Sequence, residues 1–146
     1  MRIVSEQVIE RLKDTARFIA SHEEHQPILL LFTKTSKGDI HTLPVSISGH
    51  PGNAVPEILR RAQPDAYVLV TEARYKMCQP EDIETFRAGD IASNPDNPEL
   101  LMLIVAERYH APTVWKANIT SQGTERRIAE WAILTEFTSF PAHSYW

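Results

Sequence analysis

Apolar residues recur along this chain at two different spacings. Val8, Leu12, Ala16 and Ile19 fall close to helical periodicity and predict an amphipathic helix over residues 4–20. Ser5 stands at the N-cap position, Val4 and Ile9 at those of a hydrophobic staple, and Pro27 bars continuation. A second stripe, Ala54, Val55, Ile58, Leu59 and Ala62, predicts a helix over 54–63. Asn53 would cap it, Pro56 would lie in its first turn and Pro64 would end it. Elsewhere the pattern is that of strands. Residues 28–32 form a short apolar run, followed across Ser36-Lys37-Gly38-Asp39 by a hairpin partner over 40–45. Pro44 lacks a ladder donor and places that partner at an edge of the sheet.

The stretch around which the rest is arranged is 66–76. Tyr67, Val68, Leu69 and Val70 are contiguous and apolar, the pattern of a strand buried on both faces. Residues 100–108 are again strongly apolar. Residues 113–120 alternate, with Trp115, Ala117 and Ile119 on one side, and 128–137 closes the meander with Trp131, Ile133 and Phe137 facing one way. Residues 77–98 are a long connection, in which Pro80, Glu81, Asp82 and Gly89 predict a short helix over 80–88. Residues 138–146 form a tail carrying Phe140, Tyr145 and Trp146.

This order predicts one α+β domain over 1–146, a two-layer sandwich. Its sheet is mainly antiparallel with about six strands, and its two main helices lie on one face. A chain of 146 residues buries enough surface to fold without a disulfide or structural metal. The net charge of −4 argues against a nucleic-acid partner, which would call for a basic stripe. Cys78 is the only cysteine, and the first twenty residues are charged throughout, so the chain reads as a cytoplasmic protein with no membrane span.

Chemistry-bearing residues are few. Glu72 appears where an apolar residue would still fit the strand, with Arg74 two positions on and therefore on the same face. The two are expected to form a partly buried ion pair. Glu72, Arg74, Glu107, Arg108 and His110 are the best candidate set, since two carboxylates with a histidine could hold a divalent metal or perform acid–base work. Strand polarity opposes it. If the strands carrying Glu72 and Glu107 run antiparallel, the two carboxylates lie at opposite ends, roughly 16 Å apart, and neither metal nor cofactor is expected there. His22-Glu23-Glu24-His25 reads as a solvated helix end, and Gly49-His50-Pro51-Gly52-Asn53 as a turn without phosphate-loop spacing. Cys78 has no base beside it in sequence and reads as a small apolar filler.

The string DAYVLVTEA, the Pro-rich segment Asn94-Pro95-Asp96-Asn97-Pro98-Glu99 and the apolar strand after it resemble a group of small uncharacterised bacterial α+β proteins. In that group a similar strand ends in Glu-Ala, usually followed by Trp where this chain has Arg74. The resemblance implies no activity. The favoured expectation is a non-catalytic binding or assembly module that self-associates as a homodimer through its tail and the helix-free sheet face, with room for a protein partner. The other is a small metal-assisted hydrolase using Glu72, Glu107 and His110.

Overall fold

Helix α1, Glu6–His22, begins where the pattern places it: Ser5 is the N-cap, and the Val8 N–H donates to its Oγ at 3.3 Å. It ends at Glu23, whose extended backbone leaves the helix while its N–H still reaches Ile19 O. The structure, a computed structural model, describes residues 3–48, 51–74, 81 and 96–134. The short helix expected over 80–88, Cys78, the Gly49-His50 pair and the aromatic tail fall wholly or largely outside them. Among the described residues no helix is long and apolar enough to cross a membrane.

Strands β1 (Ile28–Lys34) and β2 (Ile40–Ser46) form the expected hairpin, and Gly38 in its turn adopts a φ of +89°. Helix α2, Pro51–Ala62, starts earlier than its apolar stripe suggests. Asn53 therefore lies inside the helix rather than capping it, and Pro56 falls in the second turn, where it removes one intrahelical donor. Strands β3 (Ala66–Arg74), β4 (Glu99–Glu107), β5 (Thr113–Gln122), β6 (Glu125–Ile128) and β7 (Ala132–Ile133) follow.

The described sheet runs β2-β1-β3-β4-β5-β6, with β7 also on β5, and every pairing is antiparallel. This is the α+β class that the element order predicts. Pro44 sits in the edge strand β2, as its missing donor requires.

The helices do not share a face. Val4, Ile9, Ala16 and Ala20, from α1 and its lead-in, pack with Val68, Val70, Leu101, Leu103 and Val105. Val55 and Leu59 of α2 pack with Leu29, Leu31, Tyr67 and Leu69 on the opposite face. Helix-on-sheet packing is thus made once on each side. The cause lies in β1, β3 and β4, which are apolar at successive positions and so present an apolar surface both ways. Each fully buried Leu or Val side chain contributes about 1.5–3 kcal/mol, so neither surface is left bare. The second face, expected to be helix-free and to drive dimerisation, has its Leu29, Leu69, Leu100 and Ile104 buried within a single chain.

The closing strand, expected to run unbroken over 128–137, is interrupted. Ile128 pairs with Ile119 and Ala132 with Lys116, so residues 129–131 face only 117 and 118 across the ladder. This one-residue excess is a β-bulge. It tucks Trp131 against α1, where the indole N–H donates to Lys13 O at 3.3 Å, and Arg17 reaches Ile128 O at 2.8 Å. Lys13 lies 4.5 Å over the ring of Trp115. These contacts hold α1 over β4 and β6. The β1 side of the same face stays more open.

Candidate functional site

Antiparallel β3–β4 register decides which candidate residues meet. Glu72 stands opposite Leu101, whereas Glu107 stands opposite Ala66. Along β4 the two carboxylates are six positions, about 20 Å, apart. Glu72 and Glu107 thus lie toward opposite ends of the strand pair, and Glu72, Glu107 and His110 do not form one site. Glu107 instead accepts the Val4 N–H at 2.9 Å in a buried setting. His110 is a turn residue whose N–H reaches Glu107 O at 3.2 Å, just after Tyr109 with its φ of +66°. Arg108 donates from Nε to Pro64 O at 2.8 Å.

At the other end of β3, Glu72 and Arg74 share the α1 face as their spacing predicts, but each takes its salt bridge from another strand. Arg126 of β6 reaches Glu72 with two nitrogens, at 2.6 and 3.2 Å. Arg74 reaches Glu99 of β4 at 2.8 Å and donates to Asn97 O at 3.0 Å. Glu99 also lies 3.7 Å from Arg126, which links the two pairs. Glu72 Oε2 also accepts the His25 N–H. The planar forks of two arginines matched to two carboxylates make a charge-assisted network. Its hydrogen bonds to Glu72 push the Arg126 guanidinium above its ordinary range. Burial opposes this more weakly, and the attraction of Glu72, Glu99 and Glu24 adds to the rise.

The sequence pattern does not bring Arg126, Glu99 and Ser121 to Glu72, because they come from three further strands, and it reads Glu24 only as part of a solvated helix end. One signal was available: Arg126 lies two positions before Ile128 and so shares the face that packs against α1.

Two cavities open on this side of the sheet. The first, of about 470 Å³, is lined by Glu24, Ala73, Ser121 and the four members of the network. The second, of about 630 Å³, is a groove left open where α1 leans toward β6. Its apolar walls are Leu12, Ala16 and Ile19 of α1, Ile28 and Leu30 of β1, and Val70 of β3. Glu24 lines both cavities, and Glu23, Glu24, His25 and Gln26 form the polar end of the groove. His25 is buried, with Nδ1 2.8 Å from Gln26 O, while His22 is exposed and packs on Phe18 at 4.6 Å between ring centres. The two histidines of the His22–His25 stretch thus have separate surroundings, and among the described residues no three His, Cys, Asp or Glu side chains are grouped to hold a metal.

Compared with known proteins, the chain matches no family model, no curated protein and no solved structure.

Proposed function

We propose that this chain is a non-catalytic binding module and that its ligand site is the groove between α1 and β1. The observation that carries this reading is the groove itself: about 630 Å³ with mainly apolar walls from α1, β1 and β3, in which Thr15 is the one polar residue of the α1 wall, and charged groups confined to one end. That volume and that division between apolar walls and a few placed polar groups are those of small-molecule sites. The charge network beside it serves as the rigid wall. Glu72, held by Arg126 and by the His25 N–H, fixes the loop that carries Glu24 and His25 into the groove mouth.

Fragment titration of the ¹⁵N-labelled chain tests it. Shift changes should cluster at Ile19, Ile28, Leu30 and His25. Thr15→Trp, placed at an exposed position on the groove wall, should suppress them by filling the space. Changes scattered over the surface, or unaltered by Thr15→Trp, would show that the groove is not a ligand site.

A further inference from the structure

The polar end of the groove is one-sided in its chemistry. Glu23 and Glu24 stand at the mouth, and neither forms a salt bridge with another described residue. No lysine or arginine lines the groove among the described residues. Arg126 of the adjoining cleft attracts Glu24 at longer range, but its ion pairs are with Glu72 and Glu99. His25 Nδ1 lies 2.8 Å from the carbonyl oxygen of Gln26, which can only accept, so Nδ1 carries a proton and donates it there. His25 is 7% exposed and lines the groove. The mouth therefore offers two carboxylates, which can only accept, beside His25 and Gln26 and next to walls of Leu, Ile, Ala and Val.

We infer that the groove takes a small amphiphile with an apolar body and a cationic head, an alkyl amine in its simplest form. This rests on the groove being the ligand site and adds the head-group chemistry. The apolar body replaces water along Leu12, Ile19, Ile28 and Leu30. The ammonium, with three donors and no acceptor, is matched by the carboxylates of Glu23 and Glu24. An anionic head would face Glu23 and Glu24 without a free counter-charge.

Octylamine, octanol and octanoate, which share one chain and differ in the head, separate the two statements. Binding is followed by calorimetry and by the amide shifts of groove residues. Octylamine should bind more tightly than octanol by about five-fold at low salt, the size expected of solvent-exposed ion pairing, and octanoate more weakly than either. The preference should shrink as salt is raised. It should vanish in Glu23→Gln/Glu24→Gln, whose groove walls are unchanged. If all three bind the groove equally, the site stands and the head-group inference fails. If octanoate binds best, the inference is reversed. If octylamine binds Thr15→Trp as tightly as the native chain, it binds elsewhere, and both statements fall.

Discussion

Glu72 and Arg126, 54 residues apart in the chain, meet in a two-pronged ion pair over the end of the sheet. The Glu72 side chain is 9% exposed and that of Arg126 16%, so neither charge is left to water if its partner is removed. Glu72→Ala should cost about 3 kcal/mol, because it leaves the largely buried guanidinium with only the 3.7 Å contact to Glu99 and removes the acceptor of the His25 N–H. Glu72→Met/Arg126→Met should recover much of that loss, since an apolar pair needs no compensation. Denaturant unfolding measures both. A loss below about 0.5 kcal/mol for the single variant would show a solvent-screened pair instead.

The buried carboxylate of Glu107 ties the start of the chain to the far end of β4 through the Val4 N–H. Glu107→Gln keeps an acceptor at the same place and should cost about 1 kcal/mol or less, whereas Glu107→Ala leaves a buried donor unpaired and should cost about 2–3 kcal/mol. Hydrogen exchange at the Val4 amide distinguishes the cause. It should accelerate strongly in Glu107→Ala and little in Glu107→Gln.

Glu57 of α2 accepts from Arg60 and Arg61 one turn later. The hydrogen bonds from Arg60 and then Arg61 hold its carboxyl below the ordinary carboxylate value. A carboxyl lowered in the folded state adds stability that is present above its unfolded pKa and lost as pH falls through the folded one. The pair is solvated, so the gain is small. A carboxylate-detected NMR titration should place Glu57 below its ordinary value, and Arg60→Ala/Arg61→Ala should bring it back up. An unchanged midpoint in the double variant would show that the arginines do not set it.

Local pattern was enough to read α1, the β1–β2 hairpin and the apolar strands, because capping, turn chemistry and periodicity act within a few residues. Ser5 and Gly38 do what their types demand. The need for cover on both faces is also legible, because Tyr67 to Val70 have no polar side, but the pattern does not say which helix covers which face. What local pattern does not carry is pairing between distant strands. The spacing of Glu72 and Arg74 puts them on one face but says nothing of Arg126, which a β-bulged hairpin three strands away delivers. The bulge itself escapes alternation, since one extra residue at 129–131 shifts everything after it. The groove escapes as well. It lies on the β1 side of α1, whose other side is bonded to Trp131 and Ile128 at that bulge.

Trp131 tests that arrangement. Its indole N–H is bonded to Lys13 O, so Trp131→Phe keeps the apolar contact and removes one hydrogen bond, at a cost of about 1 kcal/mol. If the bond also holds α1 away from β1, amide shifts at Leu12 and Ile19 should move in the variant. Shifts confined to residues beside Trp131 would show that α1 is held by packing alone.

The edge strand β2 poses the last question, since its seven residues are mostly exposed, Leu43 among them at 58%. Ladder parity shows which of its backbone groups face out. Thr35 N–H bonds Asp39 O and Ile47 N–H bonds Pro27 O, so the odd-numbered positions 41, 43 and 45 bond to β1. The even positions Ile40, Thr42, Pro44 and Ser46 then point their backbone outward. Three of these offer an N–H to a further strand, and Pro44 does not. A strand from a second copy laid along this edge would lose a ladder bond near its middle, which is how proline blunts edges. Pro44→Val restores the missing donor on a strand that already carries Ile40 and Leu43 at its surface. Sedimentation of the variant should show more self-association than the native chain at the same micromolar concentration, and Pro44→Val with Thr42→Lys should show less than Pro44→Val alone. Identical profiles for native and Pro44→Val chains would mean that Pro44 does not guard this edge.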